Sequence, residues 1–535
     1  MTHTRLYLPI MAVVTAVIAS CGEYDIPMHT VPLMRMADAT DITRTSAVVH
    51  ASAGTARNDL LTFEYGEEGG TTRHTPPLTV EGDSVHAALQ DLQHATTYVC
   101  RLVSDNGRTK VASDEIRFST LPNSLPTVSQ LTQLAKGPAT VIVAYRITDN
   151  GGEQILASGC KVCNTATGQT LTYTLPPPID DTAEQKMTIS GLERETTFRI
   201  SPFATNSIGE AAGEQLVLTT DNTVSLGDGG NLADIMQNDN THYTGLALSG
   251  AMNGDDFRCL RDIMADSLNL ADVSIIEGGR EYAPSRYTKE GVVGYGMFSE
   301  MNVTDITLPL SAVAVEEQAF SNCSRITSIT MPAQATDILP SDGCPALRQI
   351  IVPEANDCFR SIDGILYDRD VTKIVWMPLG KTGAVELPPS VTSIGDYAFR
   401  GCTFSSFVMS NTVTEIGQAA FYGCRVEKAV LSDALKTVPS ATFQQCTALE
   451  EVHLGTATEL LGEYVFDGTR IKSLYVNATY PPVCGKYTFG TTDGYDICQN
   501  CTLYVTAESR EAYRNHPRWG QFKTIKEITT NTSEK

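Results

Sequence analysis

The residues of this chain able to do chemistry are fourteen cysteines, nine histidines and an excess of carboxylates, and spacing decides what each could do. Cys160-x-x-Cys163 and Cys498-x-x-Cys501 each have the spacing of half a zinc ribbon or of a redox pair. They fall in what read as different domains, so neither metal nor redox chemistry is expected of them, and no cofactor or metal is assigned. A local disulfide from Cys484 to Cys498 or Cys501 is the expectation instead. Among the histidines, His94, near Asp91, and His453, near Glu450 and Glu451, have acids close in sequence. Such neighbours could orient an imidazole or pair two carboxylates for glycoside hydrolysis. On an acidic surface they are commonplace, and no catalytic residue is assigned. The chain has no G-x-S-x-G elbow, H-E-x-x-H, P-loop, G-x-G-x-x-G or EF-hand loop. Asp149-Asn150-Gly151-Gly152 reads as a hairpin turn rather than a calcium loop.

Five other cysteines, Cys323, Cys344, Cys402, Cys424 and Cys446, take the same place in a recurring phrase. Its mark is a Phe, at Phe298, Phe320, Phe399, Phe421, Phe443, Phe466 and Phe489, with steps of 22, 79, 22, 22, 23 and 23 residues. A period of this size signifies a solenoid. The long step holds one further turn, announced by Cys344, and an insertion at 353–385 that reads as a hairpin on the side of the stack. An apolar-x-x-apolar-x-apolar triplet follows each phrase before the one at Phe489: Val303/Ile306/Leu308, Ile326/Ile329/Met331, Leu347/Ile350/Val352, Phe404/Phe407/Met409, Val426/Ala429/Leu431, Leu449/Val452/Leu454 and Ile471/Leu474/Val476. Alternation points the second and third members of each triplet inward on a strand, and stacked strands form a parallel sheet over a core that no single coil could bury. The cysteines are then stacked thiols packed as small hydrophobes. The positions flanking the inward pair face out, and the later ones form a stripe: Ile351, Val408, Val430, His453 and Tyr475. That stripe is a candidate binding face, or a ladder of β-branched residues that favours strand pairing.

The elements that would carry this solenoid occupy the rest of the chain. Residues 1–20 have a basic Arg5 and an apolar run through Ile18, the build of a secretory signal. They end Ile18-Ala19-Ser20-Cys21, which resembles a bacterial lipobox; lipidation at Cys21 is expected, against an ordinary signal peptide with a fortuitous Cys. Gly22-Glu23-Tyr24-Asp25 opens a tether, 21–31, similar to the acidic export tags of Bacteroides-type surface lipoproteins. Outer-membrane, surface-exposed, lipid-anchored localisation follows from those resemblances. Segments 32–121 and 122–221 show short alternating strands at β-sandwich spacing. Leu92-x-x-x-Thr96-x-Tyr98 resembles the tyrosine corner of fibronectin type III domains, and Leu192-x-x-x-Thr196-x-Phe198 repeats it without the hydroxyl. Segment 222–293 reads as an irregular, partly helical N-terminal cap, 294–528 as repeats plus a C-terminal cap around Tyr513, Trp519 and Phe522, and 529–535 as a polar tail. The fold class expected is mainly β: two immunoglobulin-like sandwiches and a leucine-rich repeat solenoid.

Val391-Thr392-Ser393-Ile394-Gly395-Asp396-Tyr397-Ala398-Phe399-Arg400-Gly401-Cys402 resembles the BspA-like leucine-rich repeats of Bacteroides-type surface proteins, as does the Ala507 to Phe522 ending. Departures are Thr469 in place of a Cys, and Cys344 without its Phe. The resemblance implies a surface lipoprotein whose repeats bind proteins or mediate adhesion, with no catalytic residues to carry over. With Lys+Arg 39 against Asp+Glu 62, a net charge of -23 opposes binding to nucleic acid or to anionic lipid. The reading is therefore a non-catalytic display protein, with its partner, protein or glycan, on the solenoid face. The alternative is a glycan-capture lipoprotein of a polysaccharide uptake system, which exposed Trp or Tyr platforms would favour.

Overall fold

Alternating residues ahead of the repeats form strands that bury every second side chain, as in Ala47–Ser52, where Val49 and Ala51 are buried and His50 and Ser52 are not. The computed structural model describes residues 33–56, 59–237, 239–382, 385–490 and 494–528; Cys21, with the signal and tether, lies outside them. In the first sandwich the strands Arg35–Thr40, Ala47–Ser52 and Ser84–Leu89 face a second sheet centred on Leu60–Glu67 and Thr97–Asp105. Val49, Phe63, Val85, Cys100 and Leu102 fill the space between. The Tyr98 hydroxyl accepts the Gln93 N–H at 2.8 Å, the bond of a tyrosine corner. The second sandwich lacks that hydroxyl but keeps a threonine latch. The Thr220 hydroxyl donates to the Glu193 carbonyl (2.7 Å) and accepts the Thr196 N–H (3.0 Å), as Thr120 does with Gln93 (2.5 Å) and Thr96 (3.0 Å).

The second sandwich runs into the repeats without a break in hydrogen bonding. Among the described residues a ten-stranded sheet passes from Glu184–Ser190 through Thr140–Asp149, Thr132–Lys136 and Thr223–Ser225 to two long strands, Tyr243–Met252 and Ala265–Ile275. It continues into Asp305–Thr307, Ser328–Thr330 and Gln349–Ile351. Pairing changes from antiparallel to parallel at Thr223–Ser225. Arg194 bolts the seam, donating to the Tyr243 hydroxyl (2.9 Å) and to Asp239. The helices Leu232–Met236 and Gly254–Leu260 close this end.

Within the repeats, the inward triplets are buried throughout except Val352, which is half-buried at the edge of the insertion. The phenylalanines form a ladder of stacked rings: Phe298–Phe320 at 5.4 Å, Phe399–Phe421 at 4.9 Å, Phe421–Phe443 at 5.2 Å and Phe443–Phe466 at 6.1 Å. Two residues ahead of six of these rings, Gln318, Tyr397, Ala419, Ala441, Tyr464 and Tyr487 hold positive φ, a conformation that costs about 1 kcal/mol for a residue with a Cβ. Bonds between coils, such as Ala441 N–H to Glu463 O (2.8 Å) and Phe421 N–H to Thr442 O (3.0 Å), offset it. The thiols stack as expected. Cys323, Cys424 and Cys446 donate S–H to the carbonyls of Phe298 (3.0 Å), Phe399 (2.8 Å) and Phe421 (2.9 Å) one coil earlier. Thr469, at the same place in its coil, turns its hydroxyl instead to Phe466 O of its own coil, at 2.7 Å.

Three expectations are corrected. The insertion is three strands, because Asp363-Gly364, both at positive φ, turn Phe359–Ile362 back on Ile365–Asp368, which then pairs with Lys373–Trp376. It does not hang on the side of the stack. Ile365 and Tyr367 enter the downstream core and Leu366 and Trp376 the upstream one, since a run apolar at consecutive positions must be covered on both faces. Finally, Cys484, Cys498 and Cys501 are separate thiols. At the far end Trp519 is fully buried, donating Nε1–H to Pro482 O at 2.8 Å and meeting Phe489 edge-on at 5.0 Å.

Candidate partner-binding face

Past the insertion a new, all-parallel sheet begins. Its strands are Ser406–Val408, Lys428–Val430, Glu451–Leu454, Ser473–Val476, Thr502–Val505 and Thr524–Glu527. Parallel pairing in register places like positions side by side, so the outward residues fall in columns. One column is Val408, Val430, His453, Tyr475, Tyr504 and Lys526. Beside it runs a polar column of Ser406, Lys428, Glu451, Ser473 and Thr502.

Four of the five stripe residues read from the sequence, Val408, Val430, His453 and Tyr475, stand together here. Ile351 does not; it lies on the last strand of the ten-stranded sheet, and the insertion separates that strand from Ser406–Val408. The stripe is therefore shorter at one end than expected and longer at the other, where Tyr504 extends it. Leu503-Tyr504-Val505 repeats the pattern of Leu474-Tyr475-Val476 and could have shown this, but its coil carries no Phe-x-x-Cys phrase.

The aromatic part of the column is a stack. His453 lies on Tyr475 with centroids 4.2 Å apart, and Tyr475 on Tyr504 at 4.5 Å, all within 9° of parallel. Both faces of the Tyr475 ring are thus covered by neighbouring rings, and the aromatic rim turns outward. Glu451 fixes the end of the stack, accepting from Lys428 at 2.9 Å and meeting His453 Nε2 at 2.7 Å. Partial burial works against that carboxylate, but the bonds from His453 and Lys428 prevail and hold its pKa below the usual value. Burial, followed by the Glu451 charge, raises that of Tyr475. Val408, 66% exposed, is the most open member of the stripe. A firm, partly desolvated ladder of aromatic edges beside aliphatic side chains suits contact with another surface, with little ordering left to do on binding.

The other chemically suggestive residues are dispersed. Cys160 and Cys163 share a strand at an odd spacing, so they point to opposite faces, one buried and one half-buried. His94 is exposed on the first sandwich. Among the described residues no group of three His, Cys, Asp or Glu is placed to hold a metal, and no helix is long and apolar enough to cross a membrane.

Residues 291–362 and 379–492 match the BspA-type leucine-rich repeat region in six copies. These coils are BspA-type leucine-rich repeats. No curated protein matches the chain. Among solved structures, the pneumococcal vaccine antigen PcpA is similar at 17% identity, covering 58% of this chain and 86% of that one, with a TM-score of 0.36. A leucine-rich repeat protein from Eubacterium ventriosum is similar at 17% identity, covering 57% and 94%, with a TM-score of 0.35. A two-domain fibronectin type III segment of chicken tenascin matches at 17% identity, covering 35% of this chain and 99% of its own length, with a TM-score of 0.22.

Proposed function

We propose that this BspA-type repeat protein is a non-catalytic surface lipoprotein, anchored through an acyl group on Cys21, that docks a protein partner on the outer wall of its downstream sheet. The observation that carries the reading is the column Val408, Val430, His453, Tyr475, Tyr504, which concentrates apolar and aromatic side chains on an open face. Apolar and aromatic residues of this kind supply the anchors of protein interfaces. Capture of a neutral glycan on the same wall is disfavoured. A sugar packs its C–H face on a free ring face, whereas both faces of Tyr475 are taken. The net charge of -23 favours basic or neutral partners.

The anchor is tested by mass spectrometry of the mature N-terminus in bacteria expressing the chain. A diacyl or triacyl group on Cys21 is expected, and Cys21→Ala should release the protein from the membrane fraction. The docking face is tested by adhesion of the full chain to immobilised host matrix proteins and to neighbouring bacteria. Val408→Lys with Val430→Lys should abolish adhesion while circular dichroism stays unchanged. Retained adhesion in that chain would remove the wall from consideration.

A further inference from the structure

Beside the first repeat coil, a half-buried arginine with an orphaned nitrogen, Arg261, and an exposed one, Arg286, line the same cavity. A cavity of about 710 Å³ is lined by Arg261, Asp262, Arg286, Tyr295, Ser299 and Glu300, with Ala283, Pro284 and Gly296 completing the wall. Arg261 follows the Gly254–Leu260 helix as its C-cap. One of its terminal nitrogens donates to the carbonyls of Gly296 (2.8 Å) and Met297 (3.3 Å), while its Nε is buried without a hydrogen-bond partner. It feels the charges of Glu300 and Asp262 without a hydrogen bond to either, and burial, the largest influence, lowers its pKa. Arg286 lies over the Tyr295 ring, 4.7 Å from the centroid. Glu316, whose charge Arg286 feels, is already engaged by Lys289 (3.1 Å) and by the Tyr295 N–H (2.9 Å).

The Arg261 guanidinium is drawn partly out of water and no carboxylate hydrogen-bonds it, so an anion entering the adjoining cavity could accept from it and offset part of that cost. The planar fork of the exposed Arg286 suits a carboxylate, which can take two parallel N–H bonds, while Arg261, with Nε buried and one terminal nitrogen engaged, offers its other terminal nitrogen. Asp262 and Glu300 on the same wall oppose any anion, so charge alone does not hold one there and further hydrogen bonds are needed. Those carboxylates, and the Ser299 hydroxyl, are instead acceptors for hydroxyl groups. A ligand that satisfies both halves of the lining carries several hydroxyls and one carboxylate, which is the chemistry of an acidic sugar.

We propose that this cavity binds a uronate-bearing oligosaccharide, with Arg261 and Arg286 receiving the carboxylate and Asp262, Glu300 and Ser299 receiving ring hydroxyls. The site is independent of the docking wall: it is built from the cap and the first coil, and none of the stripe residues lines it.

The test is calorimetric titration of the full chain with a tetrasaccharide of alternating glucuronate and N-acetylglucosamine, beside a neutral tetrasaccharide of N-acetylglucosamine. The acidic sugar should bind, more weakly at high salt, and the neutral one should not. Arg286→Ala, which leaves the Arg261 bonds to Gly296 and Met297 intact, should weaken binding about tenfold or more without moving the melting transition. Arg261→Lys keeps the charge but loses the terminal nitrogen that faces the ligand, and should weaken it too. Val408→Lys should leave it unchanged, so that failure of the docking proposal and failure of this one are told apart. The assignment is overturned if the acidic sugar does not bind, if the neutral one binds equally, or if a folded Arg286→Ala chain binds as the parent does. Displacement of the sugar by an acidic peptide of higher affinity would also overturn it, assigning the cavity to a protein ligand.

Discussion

In the coils before the insertion the outward column reads Asn269, Thr307, Thr330 and Ile351; in those after it, Val408, Val430, His453, Tyr475 and Tyr504. Inside, the two regions are alike: stacked phenylalanines, buried triplets, and S–H groups on the preceding coil's carbonyl. The difference teaches where each residue's constraint comes from. An inward side chain must fit the coil above and the coil below, which limits it to a narrow set of shapes. An outward one faces solvent, and a greasy residue kept there needs another explanation.

If the interiors are equivalent, breaking either should cost the same. Phe320→Ala upstream and Phe421→Ala downstream should each destabilise the chain by about 3–5 kcal/mol, read from urea unfolding. A gap of more than about 2 kcal/mol between them would end the equivalence. Next in size is a pH effect on the thiol column. Burial lifts the Cys402 thiol from 9.0 to about 12, and lifts Cys424 as well. The unfolded chain therefore sheds these protons near pH 9 while the folded chain keeps them, so unfolding releases protons and stability falls as pH rises from about 9 toward 12. The steepest slope is about 1.4 kcal/mol per thiol per pH unit. Melting curves of a Cys402→Ala, Cys424→Ala chain should decline less over that range. Equal decline would show that the column does not govern the alkaline limb.

Smaller still is the ring stack. Tyr475→Ala should cost about 1 kcal/mol, while the matching upstream change, Thr330→Ala, should fall within about 0.5 kcal/mol. Double-mutant cycles with Tyr504→Ala would sharpen this, since touching rings should couple and Thr307 with Thr330 should not.

The repeats were legible because their phrase recurs and because alternation on a strand assigns inward and outward positions with no further information. The cavity at Arg261 and Arg286 was not legible, because it joins a helix end, a loop and the first coil, and no periodicity links those residues. Tyr243–Met252 and Ala265–Ile275 fall in the segment read as an irregular cap because their small and polar residues, such as Gly245 and Asn269, interrupt the apolar pattern; in the structure they carry the sheet from the second sandwich into the coils. The split of Ile351 from the stripe was hidden for a related reason. A one-dimensional list of outward positions cannot show that the insertion, sharing its side chains between two cores, ends one sheet and starts another.

The most direct test of the account is one paired comparison, in which surface plasmon resonance measures the full chain on a panel of immobilised host matrix proteins. The parent and the Thr307→Lys, Thr330→Lys chain should bind the same member of the panel with the same affinity, and the Val408→Lys, Val430→Lys chain should not bind it. Equal loss in both variants, or full binding by the second, would contradict the claim that the wall beyond the insertion is where this protein meets its partner.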